Sequence, residues 1–188
     1  MLFFSCVIGF VVVQRLIELM IANRNAEWIR ARGGYEVGKG HYKYIVMLHI
    51  GFFLSLVGEV VIFQREMAVW WWLPFLLFLV AQFGRIWSLT SLGPFWNTRI
   101  MILPGAKVIA KGPYRYMKHP NYFIVVLELI TLPLIFQAYG TLVLFTLLKF
   151  MLLAIRIPQE EKALSEVTNY EETFANHRRF LPKYDIEE

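Results

Sequence analysis

A polar, basic and aromatic stretch stands between two long apolar regions of the sequence. Residues 112–122 read Gly-Pro-Tyr-Arg-Tyr-Met-Lys-His-Pro-Asn-Tyr, and Arg156 and Glu160 follow a further apolar run. Pro113 and Pro120 restrict the residues before them to extended conformations, so the stretch is stiff and is not one continuous helix. Its aromatic rings, hydroxyls, imidazole and cationic groups suit a charged, planar small molecule.

The same residues also have a purely structural interpretation. Arg115 and Lys118 would fix the membrane topology by binding lipid headgroups, and Pro120 would be the first residue of a helix. Arg156 would extend its charge to the membrane interface, and Glu160 would complement a helix amino terminus. Residue types and spacing alone leave both interpretations open.

The composition is that of a membrane protein. Hydrophobic residues make up 57% and aromatic residues 16% of the 188 positions, and the apolar residues form long runs. The single cysteine, Cys6, leaves neither a disulfide framework nor a cysteine metal site, and we expect no metal. The net charge of +5 is interpreted as membrane topology, without a nucleic-acid partner. We predict an all-α integral membrane protein.

The apolar runs predict about five transmembrane helices. Runs of about 20 residues, enough to cross a bilayer at ~1.5 Å per residue, cover three segments, residues 1–21, 44–63 and 67–86. Residues 122–155 are too many for one span, and a turn near residues 137–140 predicts a short hairpin of two helices of about 16 residues each. Pro158 then begins a C-terminal amphipathic helix that runs to about Tyr170.

The distribution of basic residues predicts the orientation. They are concentrated in the first and third connections, and residues 84–121 include six lysines and arginines but no acidic residue. The positive-inside rule therefore places the amino terminus outside and the carboxyl terminus in the cytoplasm. At this length, without a linker or an internal repeat, we expect a single domain over residues 1–188.

The polar stretch, the apolar hairpin after it and the segment Arg-Ile-Pro-Gln-Glu-Glu at residues 156–161 together resemble the signature of the isoprenylcysteine carboxyl methyltransferase family. The similarity extends over roughly residues 92–184. Three further stretches, at residues 15–19, 41–42 and 96–99, resemble a bacterial branch associated with type III polyketide synthases. That branch is similar to enzymes that methylate alkylpyrones or alkylresorcinols.

The resemblance implies a methyltransferase of the bacterial cell membrane that uses S-adenosylmethionine and methylates an oxygen of a lipophilic acceptor. Residues 92–188 would form the cofactor-binding and catalytic half, with a cytoplasmic cofactor-binding loop, and residues 1–91 would be mainly scaffold. Arg156 would face the acceptor. The residues that would bind the cofactor are Tyr114, His119, Pro120, Asn121, Tyr122, Glu160 and, near a further cofactor position, Arg99.

Four ionisable residues within or near the apolar runs need a partner or a cavity, because charges are costly in a membrane: Glu18, His49, Glu59 and Glu128. Glu128 follows the polar stretch by less than two helical turns. It is therefore a second catalytic candidate that would hydrogen-bond a substrate hydroxyl. A structural partner inside the helix bundle explains the same residue equally well.

The identity of the acceptor remains open at this point. A prenylcysteine-like carboxylate, an alkylpyrone enol, an alkylresorcinol phenol and a phospholipid amine all suit a lipophilic site at the membrane face. The resemblance to the bacterial branch favours the polyketide acceptors and a functional link to a type III polyketide synthase. A nicotinamide-dependent membrane reductase and a non-enzymatic membrane protein are the alternative functions.

Overall fold

Five long helices form the structure, which is a computed structural model that describes residues 1–180. The helices are α1 (Leu2–Arg30), α2 (Lys39–Ile62), α3 (Trp72–Leu92), α4 (Pro120–Ile135) and α5 (Tyr139–Ser165). A short helix, α6 (Tyr170–Phe174), follows them. The end of the predicted family similarity at Tyr184 and the last part of the predicted catalytic half, residues 181–188, lie outside the described residues.

Within residues 1–180, α1, α2, α3 and α5 are long and apolar enough to cross a membrane, while α4 is apolar but has only 16 residues. The outside of the bundle is covered by large apolar side chains. Leu54, Phe83 and Met151, for example, are 70%, 71% and 66% exposed. Such a surface requires lipid around it. The predicted all-α integral membrane protein is confirmed.

The packed core fills the end of the bundle at which α1 begins and α4 ends. Phe4 and Phe136 pack edge to face there, with their ring centroids 4.8 Å apart. Phe52 of α2 packs edge to face on Phe145 of α5 at 5.7 Å. Leu56 of α2 is completely buried in the same cluster. Aromatic pairs of this kind stabilise the bundle in addition to the area they bury.

The predicted hairpin is formed by α4 and α5, but its second helix is longer than expected. α4 has 16 residues as predicted, whereas α5 has 27 and continues through Pro158 to Ser165. The predicted helix boundary at Pro158 is therefore wrong. Proline removes one backbone donor, but the last turns of α5 pack Ala163 against Ile100 and Ile102, and this burial maintains the helix.

The predicted position of the third span is also corrected, because α3 covers Trp72–Leu92 where residues 67–86 were expected. Pro74 lies in the first turn of α3. Proline suits that turn because the first backbone N–H groups of a helix have no helical partner. The residues just before Trp72 form turns instead.

A small antiparallel sheet joins the α1–α2 connection to the α3–α4 connection, the two segments in which the basic residues are concentrated. β1 (Tyr35–Val37) follows α1, and β2 (Ile100–Ile102) lies between α3 and α4, with Glu36 opposite Met101. The sheet brings the α1–α2 connection against the α3–α4 connection.

The α3–α4 connection lies close against α3 at Gly112, which has a φ of 55°. A Cβ at this position would be 2.1 Å from the Ser91 hydroxyl oxygen and 2.8 Å from Trp87 Nε1. Only glycine allows both the backbone angle and the close approach. This contact positions the polar stretch predicted from the sequence beside the bundle.

Candidate active site

A cavity, here called the loop cavity, lies between the α3–α4 connection, the start of α4, the end of α5 and α6. It encloses about 1010 Å³ of empty space, including its opening to solvent. Its lining includes six of the seven predicted cofactor residues: Arg99, Tyr114, His119, Asn121, Tyr122 and Glu160. The seventh, Pro120, is buried behind this lining at the first position of α4, which suits proline.

Four buried polar atoms of the loop cavity residues have no hydrogen-bond partner within residues 1–180. They are Trp96 Nε1, Arg99 Nε, Asn121 Oδ1 and the Tyr170 hydroxyl oxygen. Buried polar groups are almost always hydrogen-bonded in native proteins, because an unsatisfied group loses its hydration without compensation. Water or a polar ligand in this cavity would supply the missing partners of these four atoms.

Two tyrosines of the loop cavity are neutral hydrogen-bonding groups. Burial, together with the nearby Glu160 carboxylate, raises the pKa of Tyr114. Burial raises the pKa of Tyr170 in the same way, with Glu161 and Glu160 nearby. Both phenols therefore stay protonated at physiological pH, and their rings offer flat apolar faces to a planar ligand.

Tyr122 connects Arg156 to Glu160. Arg156 Nε donates a hydrogen bond of 2.6 Å to the Tyr122 hydroxyl, which itself donates a short hydrogen bond to the Glu160 carboxylate. Arg156 Nη2 donates to the backbone carbonyl of Thr98 at 2.7 Å. These bonds hold the buried guanidinium in one orientation, and Nη1 remains available for a ligand.

His119 and the C-terminal segment are joined through Glu161. His119 Nε2 lies 3.0 Å from Glu161 Oε1, and Arg179 forms a two-pronged ion pair with the same carboxylate at 3.0 and 2.6 Å. The His119 and Lys118 backbone N–H groups donate to the carbonyls of Arg179 and Arg178. The segment that contains Arg178 and Arg179 is thereby held against the residues that line the loop cavity.

A second cavity, here called the bundle cavity, lies between α1, α2 and α5 and encloses about 1220 Å³ including its opening. Most of its lining is apolar. Leu16 of α1 and Ile50 of α2 line it and are each 56% exposed, so the cavity opens at the side of the bundle. Arg156 lines this cavity and is buried.

The two cavities share one wall. Four residues line both of them: Trp96, Asn97, Asn121 and Tyr122. The structure thus places the predicted acceptor residue, Arg156, in the bundle cavity and the predicted cofactor residues around the loop cavity. A ligand in each cavity would meet the other at this wall.

Comparison with known proteins agrees with this arrangement. A sequence model of the isoprenylcysteine carboxyl methyltransferase (ICMT) family matches residues 72–166, which include α3, the polar stretch, α4 and α5. The chain belongs to this family. It is accordingly a membrane methyltransferase, and the multi-pass arrangement of its apolar helices agrees with that assignment.

Two relatives of the methyltransferase have nearly its full length. The protein YpbQ of Bacillus subtilis (strain 168) is 43% identical over 163 residues, which cover 87% of this chain and 97% of the relative. A protein of Haemophilus influenzae (strain ATCC 51907 / DSM 11121 / KW20 / Rd) is 28% identical over 172 residues, 89% of this chain and 98% of the relative. Both are described as uncharacterized, so they extend the similarity to almost nine tenths of the chain without adding an activity.

Glu128, the second catalytic candidate, lies among charged residues of the bundle and lines neither cavity. Its carboxylate accepts hydrogen bonds from Gln82 at 2.7 Å, from Arg85 Nε at 2.9 Å, and short ones from Arg85 Nη2 and Arg15. Glu18 pairs with the same two arginines. Four donors occupy the Glu128 carboxylate, so its catalytic role stays a prediction without support from these contacts.

Glu59 and His49, two more of the ionisable residues that the sequence analysis singles out, also have partners. Glu59 accepts hydrogen bonds from the backbone N–H groups of Gly140 and Thr141, at 3.1 and 2.7 Å, at the start of α5. His49 Nδ1 lies 2.7 Å from the Ile45 carbonyl oxygen, so that nitrogen carries the proton. Glu59 therefore caps a helix, while His49 lines the bundle cavity.

The cavity residues that are absent from the predicted site include four with polar atoms: Trp96, Asn97, Lys149 and Tyr170. Trp96 and Asn97 enter the sequence analysis only through the stretch that resembles the bacterial branch. Lys149 has the same sequence signal as Glu128, because each is an ionisable residue inside an apolar run. Tyr170 has no sequence signal, because its position depends on how α6 folds back on the polar stretch.

Proposed function

We propose that the protein transfers a methyl group from S-adenosylmethionine to an oxygen of a lipophilic acceptor within the membrane. The observation that carries this proposal is the wall shared by the loop cavity, whose lining includes charged and hydrogen-bonding side chains, and the bundle cavity, whose lining is mostly apolar. The loop cavity suits a polar, water-soluble cofactor. The bundle cavity opens at the lipid-facing side and suits a hydrophobic acceptor.

The residues of the loop cavity fit the cofactor. Arg99 would pair with its carboxylate, and the faces of Tyr114 and Tyr170 would contact its adenine ring. The Glu160 carboxylate would accept hydrogen bonds from its ammonium or hydroxyl groups. The unsatisfied atoms of Trp96 and Asn121 would gain partners in the same way.

When bound, S-adenosylmethionine supplies an activated methyl group on a positively charged sulfur. Arg156 would hold the acceptor oxygen as an anion in the bundle cavity, and Tyr122 would fix the orientation of Arg156 at the shared wall. The new C–O bond forms as the C–S bond breaks, and the electron pair stays on sulfur. Positioning the reactants and excluding water are the main contributions of the protein to such a displacement.

The acceptor class is proposed from the resemblance and from the bundle cavity. An alkylpyrone or alkylresorcinol places a polar ring at the shared wall and its alkyl chain in the apolar part of the cavity. A prenylcysteine-like carboxylate has the same two parts. The polyketide acceptors would come from a type III polyketide synthase, which is the functional link that the resemblance to the bacterial branch implies.

We also propose the orientation predicted from the charges, with the amino terminus outside the bacterial cell membrane. The loop cavity is built largely from the basic α3–α4 connection. The positive-inside rule places such a connection in the cytoplasm, where S-adenosylmethionine is made.

Calorimetric titration of the detergent-purified protein tests the cofactor assignment. Saturable binding of S-adenosylmethionine is the expected result, followed by transfer of labelled methyl groups to long-chain alkylpyrones and alkylresorcinols. Binding of a reduced nicotinamide cofactor instead would contradict the proposal and assign the site to a reductase. Folded protein that binds neither cofactor would contradict both functions.

A further inference from the structure

Lys149 is a buried lysine in the middle of a membrane-spanning helix. It lies on α5 about two helical turns before Arg156, lines the bundle cavity and is only 4% exposed. Within residues 1–180 it forms no ion pair and no side-chain hydrogen bond. A membrane lysine usually extends its ammonium to the interface. At 4% exposure, Lys149 does not.

The other cations around the bundle cavity are already bonded. Arg15 and Arg85 both form ion pairs with Glu18 and Glu128. Arg156, by contrast, donates to neutral oxygens, the Tyr122 hydroxyl and the Thr98 carbonyl. The two arginines and two glutamates compensate one another, so Lys149 and Arg156 leave the cavity with positive charge that no direct carboxylate contact neutralises.

The histidine of the cavity does not compensate Lys149 either. His49 Nδ1 donates to the Ile45 carbonyl, and the ring forms no hydrogen bond to Lys149. A buried charge without a partner is costly, and ionisable side chains inside membranes generally mark a ligand or an ion path. A ligand that brings negative charge to the bundle cavity would supply the partner that both Lys149 and Arg156 lack.

We propose that Lys149 is a specificity-determining residue that binds the acceptor oxygen that is not methylated. The acceptor is then an amphiphile whose polar end shares one negative charge between two oxygens, as a carboxylate or the enolate of a 1,3-dicarbonyl compound does. Arg156 holds the reacting oxygen and Lys149 the second one. This inference rests on the proposed function only for the assignment of the bundle cavity as the acceptor site.

The arrangement gives Lys149 and Arg156 different tasks. Arg156 is fixed by Tyr122 and Thr98 next to the shared wall, where the methyl group would arrive. Lys149 lies roughly 10 Å further along the axis of α5 and lines the same cavity, so its long side chain would contact the second oxygen of the acceptor. An acceptor with one neutral oxygen would leave the Lys149 ammonium without a partner. The site would therefore bind such an acceptor less tightly.

The test uses a matched pair of fluorescent amphiphiles, cis-parinaric acid and the corresponding alcohol, which share one hydrocarbon chain. Binding to the full-length protein in neutral detergent is followed by energy transfer from tryptophan, with protein-free micelles as the baseline. We expect the wild-type protein to bind the acid at least about tenfold more tightly than the alcohol. One charge-assisted hydrogen bond to the carboxylate accounts for an affinity ratio of that size. Equal affinities would overturn the proposal without any variant.

Substitution then assigns the preference to Lys149. Lys149→Met should weaken binding of the acid about tenfold and leave binding of the alcohol within about twofold. The matched control is Lys162→Met, which removes the same charge from the exposed end of α5, where the side chain is 80% exposed. That variant should bind both probes as the wild type does. Unchanged acid binding in Lys149→Met, or an equal loss of both probes, would overturn the proposal.

A second variant and a second ligand keep the result interpretable. If Lys149→Met does not purify as a folded protein, Lys149→Gln removes the charge with a polar side chain and should show the same selective loss. Titration with S-adenosylmethionine reports separately on the loop cavity. Loss of acid selectivity with intact cofactor binding supports the role of Lys149, whereas absent cofactor binding with a Lys149-dependent acid preference contradicts only the proposed function.

Discussion

Arg156 Nε donates a hydrogen bond of 2.6 Å to the hydroxyl oxygen of Tyr122. The same hydroxyl donates to Glu160, and Tyr122 belongs to the wall that the two cavities share. The hydroxyl therefore connects a residue of the acceptor side to a residue of the cofactor side.

Tyr122→Phe should lower kcat about 10- to 100-fold and change the Kd of S-adenosylmethionine less than about threefold. The substitution keeps the ring but removes the group that orients Arg156, and misplaced reactants cost rate more than binding. Methyl-transfer rates and calorimetry give the two quantities. Tyr116→Phe is the control, because Tyr116 is 46% exposed and lines neither cavity. A variant with the wild-type kcat would show that the hydroxyl does not position Arg156.

Arg156→Ala should abolish detectable methyl transfer, a loss of at least about 100-fold, while the Kd for the cofactor stays within about threefold. The guanidinium lines the bundle cavity and not the loop cavity, so its removal affects the acceptor. Arg24→Ala is the matched control, since Arg24 is an exposed arginine of α1 outside both cavities. Loss of cofactor binding with an intact rate at saturating cofactor would reverse the roles assigned here.

His119→Ala should weaken binding of S-adenosylmethionine about tenfold. A loss of affinity of this size corresponds to one charge-assisted hydrogen bond. The ring bonds Glu161 and stacks on Tyr122 with centroids 5.3 Å apart, so its loss disturbs the lining of the loop cavity. Arg179→Ala removes the other partner of Glu161, but Arg179 is exposed and does not line that cavity. Calorimetry should therefore show the smaller effect for Arg179→Ala, and the opposite order would contradict the prediction.

Six of the seven residues predicted for the cofactor line the loop cavity, because most of them belong to one short motif and Glu160 follows it at the end of the next apolar run. Residues 112–122 are fixed by their prolines, and Arg156 and Glu160 lie one helical turn apart on α5. The length of α5 is not predictable in this way. Packing against β2 overrides the local preference of Pro158.

Contacts between distant parts of the chain account for the remaining differences. Trp96 and Asn121 share a wall although 25 positions of the chain separate them. Glu128 meets Arg15 across 113 positions, and no periodicity in either run indicates that pair. The sequence therefore identifies Glu128 as a residue that needs a partner, and the fold supplies the partner.

Glu59→Ala should destabilise the protein by about 1–2 kcal/mol, the usual value of a lost helix cap, and leave methyl transfer per folded molecule unchanged. The carboxylate accepts from two backbone N–H groups at the start of α5 and from the Thr141 hydroxyl at 2.8 Å. Thermal unfolding in detergent measures the change. Glu66→Ala is the control, because Glu66 is an exposed glutamate of the α2–α3 connection. A reduced rate with unchanged stability would mean that Glu59 has a role in catalysis.

Glu128→Gln separates the two interpretations of the buried charge cluster. Removing one carboxylate leaves Arg85 and Arg15 to share Glu18, and an uncompensated buried charge costs about 3–5 kcal/mol. We therefore expect a Tm that falls by several degrees, with the kcat of the remaining folded protein within about threefold of the wild type. The double variant Glu128→Gln/Arg85→Gln should regain part of the stability, because it also removes one of the cations left without a partner. If the Tm stays unchanged while turnover falls, Glu128 acts on the substrate.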